Sequence, residues 1–177
     1  MPADTPLKDQ WTFWSIQRSS SNSKQLQSEN YETYLKCIST ISTVQDFWSI
    51  YLHTKDLPSM FDLHLFRASI RPVWEDPANA QGGKITLRLR KGLAARLWEA
   101  LQVVVLGEEY EIVQDICGII LSNRYQEDII SIWIGACEDA EILKEFVKKV
   151  LGLPPSTHFD FKPHNVSISK IVKQQHQ

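Results

Sequence analysis

The strongest constraint on the fold is a run of strict alternation between apolar and polar residues that follows Gly82 and Gly83. Residues 84–90 read Lys-Ile-Thr-Leu-Arg-Leu-Arg. Successive side chains of a β-strand point to opposite faces, so a period of two places the three aliphatic residues on one face and the basic residues on the other. The segment therefore predicts a sheet that packs one face on a core and exposes the other, as antiparallel sheets commonly do.

Five further segments show strand-like patterns, and three show helical periodicity. The predicted strands are residues 11–16, 34–38, 62–70, 116–122 and 128–134, the last two joined as a hairpin through residues 123–127. The predicted helices are one capped by Thr43, one from Leu93 that stops at Gly107, and one from about residue 139 that ends at Gly152. This order predicts an α+β fold, a curved antiparallel sheet with about three helices on the convex face and a concave face open to a ligand.

The length of the chain favours a single domain. With 177 residues, of which 43% are hydrophobic, it is long enough to bury one substantial core. We expect this domain to span residues 11–169, preceded by a segment of residues 1–10 and followed by a flexible tail of residues 170–177. Residues 18–30 are rich in serine and poor in apolar side chains, which predicts a mobile loop.

Charge and cysteine content exclude several classes of protein. The formal net charge of −2 is opposite to that of a protein that binds duplex nucleic acid by broad phosphate neutralisation. Cys37, Cys117 and Cys137 are odd in number and lack C-x-x-C spacing, so we expect neither a disulfide framework nor a zinc site. The sequence shows no apolar run long enough to span a membrane and no signal-peptide pattern. We therefore expect a soluble intracellular protein without metal, cofactor or membrane association.

Enzyme motifs are missing from the sequence. The histidines do not form H-E-x-x-H, no serine sits in G-x-S-x-G, and residues 82–84 lack the rest of a P-loop. Glu75 and Asp76 could be read as the carboxylate pair of a hydrolase. Adjacent residues of an extended chain point to opposite faces, however, and two working carboxylates normally come from separate segments. The sequence therefore predicts a binding protein rather than an enzyme.

A Trp-Glu pair lies between two prolines at residues 72–77, in a segment that cannot be the interior of a helix. The indole of Trp74 could stack on a flat cationic ring, and the carboxylate of Glu75 could accept two N–H donors from its edge. A methylated guanine has both properties. Taken by its spacing alone, the pair is a weak motif, because a tryptophan before an acidic residue is usually a core tryptophan beside a solvated carboxylate.

A series of short strings carries a resemblance across nearly the whole chain. In chain order they are TPL at 5–7, WxxW at 11–14, VQDFW at 44–48, PVWED at 72–76, GGK at 82–84, GE at 107–108, CG at 117–118, R at 124, IW at 132–133 and LGLPP at 151–155. In this order and spacing the sequence resembles the cap-binding translation initiation factor 4E family. The strings LRKGLA at 89–94 and RYQEDIISIW at 124–133 make it most similar to class II, the 4E homologous protein type.

The resemblance implies a concave site for the 7-methylguanosine cap of mRNA. Tyr31, where class I members carry a tryptophan, and Trp74 would sandwich the methylated base. Glu75 would accept hydrogen bonds from the base edge, and Trp133 would pack near its methyl group. Methylation makes the base cationic, so two aromatic faces would favour it over unmethylated guanine.

The resemblance also implies a basic contact with the cap phosphates, through Arg124 and Lys84. Gln126 and Ile129 stand where class I members supply lysines, and Ile85 replaces a tryptophan of the class I pattern. Fewer cations imply a weaker hold on the phosphates and a shallower dependence of binding on salt than in class I.

A second surface is implied on the convex side, where Trp48 would receive a partner helix of the form Tyr-x-x-x-x-Leu-Φ, with Φ apolar. Val44, Pro6 and Gly107 match the other family positions of this dorsal surface, to which residues 1–10 would contribute. Glu99 stands where class I members have leucine, so partner choice could differ from class I. Such helix-in-groove contacts depend on a few anchor side chains.

The resemblance leaves three roles open. The first is a cytoplasmic class II regulator of translation, a repressor or a conditional initiation factor, that binds capped mRNA and is a monomer outside its complexes. The second is a general initiation factor that recruits the ribosome through a scaffold protein. The third is a protein-docking scaffold that binds the cap little.

Overall fold

The computed structural model describes residues 4–18, 31–56, 58–138 and 140–165. Its strands are β1 (Pro6–Gln17), β2 (Lys36–Thr43), β3 (Phe61–Arg67), β4 (Gly83–Arg90), β5 (Ile116–Asn123), β6 (Glu127–Ile134) and β7 (Asp160–Pro163). Its helices are α1 (Tyr31–Tyr34), α2 (Val44–Thr54), α3 (Pro77–Ala80), α4 (Ala94–Gly107) and α5 (Ala140–Val150), with a 3₁₀ helix at Glu111–Asp115. The strands form one open, curved sheet in the order β2-β1-β3-β5-β6-β4-β7, and each neighbouring pair is antiparallel.

The main core lies on the convex face of this sheet. Ile85, Leu87 and Leu89, the alternating aliphatic residues of β4, are at most 8% exposed. They belong to a cluster that also takes in buried side chains of α2, α4 and α5. The predicted α+β class, with its three long helices, is therefore confirmed; α1 and α3 are additional helices of a single turn.

Helix α2 begins where the sequence predicts. The Thr43 side chain accepts a hydrogen bond from the backbone N–H of Asp46, whose carboxylate accepts one from the Thr43 N–H. This reciprocal capping box satisfies two donors that a helix start otherwise leaves unpaired. Phe47 is then buried in the core while Trp48 remains 41% exposed.

The predicted strand at residues 34–38 is wrong at its start. Tyr34 ends helix α1, and β2 begins only at Lys36. In β2 Ile41 alone is buried, because the strand lies at the edge of the sheet and pairs only with β1. An edge strand with one buried residue has a weak hydrophobic pattern, so its bounds cannot be located from periodicity.

Helix α4 stops at Gly107, as the sequence predicts. Gly107 is the last helical residue, and Glu108 adopts the left-handed conformation that ends the helix, with φ of 48°. Glutamate is uncommon there because its Cβ crowds the backbone. Its buried carboxylate accepts a 3.0 Å hydrogen bond from Arg67, which holds the turn in place.

Other predicted segments differ from the structure or lie outside its described residues. The predicted strand 62–70 ends at Arg67, where the chain turns, and the short strand β7 was not predicted. The predicted loop at 18–30, apart from Arg18, and the tail at 170–177 lie outside the described residues. Within the described ranges, no helix has the length and apolar character needed to cross a membrane.

Candidate functional site

A cavity of about 760 Å³ opens on the concave face, opposite the main core. The six residues assigned to cap binding from the sequence all line it, namely Tyr31, Trp74, Glu75, Lys84, Arg124 and Trp133. They come from α1, the turn before α3, strands β4 and β6, and the turn after β5. The sheet therefore brings together side chains that are more than one hundred positions apart in the chain.

The turn that carries Trp74 is fixed by its neighbours. Asp76 accepts hydrogen bonds from the backbone N–H of Arg71 at 2.9 Å and of Ala78 at 3.0 Å, and so caps α3. The buried Asn79 amide donates to the backbone oxygens of Arg71 and Val73. Since Asp76 serves as a helix cap, it is not free to act with Glu75 as a carboxylate pair.

Trp74 stands half-buried at the mouth of a small aromatic cluster. It packs with a second group of buried residues, which includes Phe66 of β3 and Trp133 of β6. Trp133 is 4% exposed and meets the Phe66 ring edge-on at a centroid distance of 5.5 Å. Glu75, next to Trp74, is exposed to solvent at the cavity rim. One end of the cavity is therefore aromatic and presents a carboxylate.

Tyr31 begins helix α1 and enters the cavity from the side of β1 and β3. Burial raises the pKa of its hydroxyl, and the nearby carboxylate of Asp62 raises it further, so the ring remains neutral at physiological pH. Helix α1 is tied to the Trp74 turn by an ion pair between Glu32 and Arg71 at 3.2 Å. This exposed pair contributes less than about 1 kcal/mol, yet it joins the two segments that carry the aromatic rings.

An ion cluster occupies the other end of the cavity. Asp62 on β3 is 1% exposed and contacts Arg18 at 2.6 Å and Arg124 at 2.5 Å. Burial opposes ionisation of Asp62, but the two guanidinium groups together hold its pKa below the usual range. Two cations around one carboxylate leave a net positive charge. Asp62 also lies four residues from Phe66 on β3, or about 13 Å along the strand, so the ionic and aromatic ends are distinct.

Lys84 adds to the positive charge on the sheet side of the cavity. It lies on β4 and is paired across the strands with Lys162 of β7. Burial lowers the pKa of Lys84, and the neighbouring charges of Lys162, Arg18 and Arg88 lower it further. An anion bound here would relieve this repulsion. Sequence reasoning missed Lys162 because the four residues of β7 are too few for a reliable period-two signal.

Two histidines beneath the cavity also escaped the sequence analysis. His164 follows β7, and its ring lies 4.3 Å from the ring of Trp133. His64 on β3 is 1% exposed, and neither of its ring nitrogens finds a hydrogen-bond partner among the described residues. Burial lowers the pKa of each imidazole to about 4. Both rings are neutral at physiological pH; His64 lines the cavity, and His164 packs behind Trp133.

We expect the stability of the protein to fall as the pH drops from 6.5 to 4. In this window the unfolded chain binds protons on its histidines while buried His64, with a pKa of about 4, does not. For His64 alone the difference corresponds to a loss of about 3 kcal/mol in the free energy of unfolding. Urea unfolding at a series of pH values measures this slope. The slope should be shallower in His64→Gln than in wild type; equal slopes in the two proteins would contradict the assignment.

The four residues assigned to partner docking lie around the first strand and the two helices of the convex face. Trp48 projects from α2 and contacts Tyr51 edge-on at a centroid distance of 5.4 Å. The Tyr51 hydroxyl donates to Glu99 of α4, which links the two helices. Val44 opens α2, and its backbone N–H donates to Thr5 at 2.9 Å, beside the exposed Pro6.

Gly107 completes this group at the end of α4. Glu108, which follows it, lies 3.7 Å from the ammonium of Lys8 on β1. The end of α4 and the start of β1 are therefore neighbours. Trp48, Val44, Pro6 and Gly107 are at least partly exposed, so the convex side presents an uncovered tryptophan at the α2–α4 contact.

Comparison with known proteins identifies the family. A sequence profile described as "Eukaryotic initiation factor 4E" matches residues 6–177. The chain is 39% identical to a rice (Oryza sativa subsp. japonica) protein named eukaryotic translation initiation factor NCBP, over 92% of this chain and 73% of the rice protein. It is 38% identical to eukaryotic translation initiation factor 4E-4 of Caenorhabditis elegans, over 77% of this chain and 68% of that protein. The predicted resemblance to the class II branch is confirmed, and so is the prediction of a non-enzymatic protein.

Solved structures agree with this identification. The fold matches eIF4E-3 of C. elegans, in a complex with the 4E-binding protein Mextli and a cap analog, with a TM-score of 0.82 and 27% identity over 94% of this chain and 96% of that one. It matches eIF4E-3 of Ascaris suum, in a complex with the m2,2,7G cap, with a TM-score of 0.80 and 26% identity over 92% of each chain. The chain belongs to the eukaryotic initiation factor 4E family.

Proposed function

We propose that the protein binds the 7-methylguanosine cap of mRNA in the concave cavity and regulates translation through partners on its convex face. The observation that best supports cap binding is that Tyr31, Trp74, Glu75 and Arg124 all line one cavity. This set of groups matches a ligand that joins a flat cationic ring to phosphates. Family membership, and the caps bound in the solved complexes of eIF4E-3, support the same assignment.

Each part of the ligand has a suitable group in the cavity. The methylated base carries a positive charge and would be attracted to the faces of Tyr31 and Trp74, each contact worth about 1 to 2 kcal/mol when partly desolvated. The carboxylate of Glu75 would accept from the N1–H and exocyclic amine of the base. Trp133 is largely buried and so would pack against the methyl group by its edge rather than act as a stacking platform.

The phosphates would lie toward the ion cluster. Arg124 is held by Asp62 but remains 23% exposed, so it can donate to a phosphate without leaving its anchor. Lys84 would add a second contact, directly or through water, and phosphate binding would favour its charged form. A cavity that is aromatic at one end and cationic at the other would thus set the orientation of the cap.

Tryptophan fluorescence on titration with 7-methyl-GTP, with GTP as the control, tests the proposal. We expect saturable quenching by 7-methyl-GTP and much weaker quenching by GTP, because unmethylated guanine lacks the charge that makes stacking favourable. A parallel titration with a trimethylated cap analogue measures acceptance of the m2,2,7G form. Equal quenching by 7-methyl-GTP and GTP would reject the site and favour a docking scaffold that binds the cap little.

On the convex face we propose that Trp48 receives a helix of the form Tyr-x-x-x-x-Leu-Φ. The uncovered indole, held at the contact between α2 and α4, supports this role. The complex of eIF4E-3 with a 4E-binding protein supports it for the family. We propose that the protein is cytoplasmic and monomeric outside its complexes. The protein that docks at Trp48 would then decide whether it represses translation or promotes it. Recovery of an initiation scaffold, rather than a repressor, as the bound partner would favour the role of a general initiation factor.

Replacing Trp48 by alanine should weaken binding of such a peptide by at least about 30-fold, or about 2 kcal/mol, the usual cost of removing a central aromatic anchor. Binding of 7-methyl-GTP should be unchanged, because Trp48 lies on the opposite side of the sheet. Calorimetry with a synthetic Tyr-x-x-x-x-Leu-Φ peptide measures the effect. Ser49→Ala, on the same helix and exposed, is the matched control, and equal peptide affinity in both variants would contradict the assignment.

A further inference from the structure

A second, shallower cavity of about 720 Å³ adjoins the first. The two share Arg88 and Arg124, so one surface continues into the other. The second cavity is also lined by Arg90, by Tyr125 and by Met60. A ligand whose phosphates reach Arg124 from the first cavity would therefore meet this second surface next.

The basic residues of this surface follow strand β4. Lys84, Arg88 and Arg90 occupy alternating positions, so they lie on the same, concave face of the sheet. Arg88 and Arg90 are about 6.6 Å apart along the strand. Register with β6 places Arg90 opposite Glu127, beside the turn that joins β5 to β6. A row of positive charge thus runs from the first cavity to that turn.

Tyr125 projects from the same turn and is 74% exposed. The turn itself is held firmly. The Arg124 backbone N–H donates to the backbone oxygen of Glu127 at 3.0 Å. The Lys91 ammonium donates to the backbone oxygen of Arg124 at 2.9 Å and to the side-chain oxygen of Asn123 at 2.7 Å. An aromatic ring left in solvent on a rigid turn contributes little to folding, but it is well suited to stack on a base.

The carboxylate of Glu127 lies beside an arginine that an anion would contact in the second cavity. Glu127 lines the second cavity and pairs with Arg88 at 2.5 Å, and Arg88 lies 3.8 Å from Asp160 as well. All three side chains are substantially exposed, so these pairs contribute little and can exchange with another anion. The guanidinium of Arg88 can therefore turn to a phosphate without a large cost.

We propose that this second cavity binds the first nucleotides that follow the m7GpppN cap dinucleotide, with a base stacked on Tyr125 and the linking phosphates on Arg88 and Arg90. Met60 supplies an apolar wall against the stacked base. The inference rests on the proposed cap binding and extends it from the cap to the RNA chain. Stacking accepts any base, so the site favours longer capped RNA without reading its sequence.

Affinities for m7GpppA and for a capped tetranucleotide, m7GpppApApApA, test the inference. The wild-type protein should bind the longer ligand at least about 5-fold more tightly, at the low end of what one stacked base contributes. In Tyr125→Ala this gain should disappear while the affinity for m7GpppA stays unchanged, and Tyr125→Phe should retain it. Tyr110→Ala, at an exposed tyrosine on the helical side of the molecule, is the control and should keep the gain.

The proposed contact between Arg90 and a phosphate is tested by the salt dependence of binding. In Arg90→Gln the plot of log affinity against log salt for the capped tetranucleotide should become shallower by about 0.7, as expected for one lost phosphate contact on a single strand. The inference is overturned if wild type binds both ligands equally, or if Tyr125→Ala keeps the full gain. Failure of wild type to bind even m7GpppA would overturn the proposed cap binding, and the inference with it.

Discussion

Replacing Trp74 by alanine is expected to raise the dissociation constant for 7-methyl-GTP by at least about 30-fold, or about 2 kcal/mol, which is the contribution of a desolvated cation–π contact. The ring stands half-buried at the aromatic end of the concave cavity, on a turn that Asp76 and Asn79 hold in place. Without the indole, one face of the cationic base would be left in water. Discrimination against GTP should fall along with affinity.

Calorimetry is the suitable measurement here, because the substitution also removes a fluorophore. Trp48→Ala is the matched control, since it removes a more exposed tryptophan from the opposite face and should leave cap affinity unchanged. Trp74→Phe should show an intermediate loss, because a smaller aromatic face remains. Full retention of 7-methyl-GTP affinity in folded Trp74→Ala would show that the base does not bind against this ring.

Replacing Asp62 by alanine is expected to lower the free energy of unfolding by about 3 kcal/mol, the lower end of the range for breaking a buried ion pair. Asp62 is 1% exposed and neutralises two guanidinium groups, those of Arg18 and Arg124. Without it the two cations repel each other at a partly buried site. The side chains of the two arginines are 23% exposed and can relax toward solvent, so we expect a cost at the lower end of that range.

Urea unfolding at neutral pH measures the effect of Asp62→Ala. The matched control is Glu141→Ala, which breaks the ion pair between Glu141, 81% exposed, and Lys144, and should cost less than about 0.5 kcal/mol. Because the two arginines depress its pKa in the folded state, Asp62 stabilises the protein above its unfolded pKa and loses this effect as the pH falls through its folded value. The difference between wild type and variant should therefore shrink in acid; equal stability at neutral pH would contradict the account.

Sequence patterns predicted the elements whose signals are local. The alternation of β4 was sufficient to predict its buried face, and Thr43 with Asp46 marked the start of α2. Each signal is complete within a few residues, because side-chain periodicity and helix capping depend on neighbours in the chain. The hairpin of β5 and β6 is confirmed for the same reason.

The elements that the sequence missed depend on contacts with distant residues. The edge strand β2 has one buried residue, and β7 has only four residues in all, so neither carries a clear period. The left-handed turn at Glu108, which follows the predicted end of α4, is likewise held by a distant residue, because Arg67 on another strand donates to its carboxylate. No pattern within the helix itself contains that information.

In the concave site, too, some residues were indicated by the sequence and others were revealed only by contacts between distant segments. Motif resemblance named six of its lining residues, but not the carboxylate of Asp62, the cation of Lys162 or the imidazole of His64. These three lie in segments without a distinctive motif, and their importance comes from what they contact. The pairing of β3 with β5, and of β4 with β7, places them against Arg124 and Lys84.

By itself the sequence thus determined the family, the fold class and the residue types available for a flat cationic ligand, since these follow from motif order, periodicity and side-chain chemistry. The tertiary structure alone decided the electrostatics: which carboxylate anchors Arg124, which lysine lies beside Lys84, and how the row on β4 leads to Tyr125. Charge interactions depend on distance and burial, and both are set by strand order and register rather than by position in the chain.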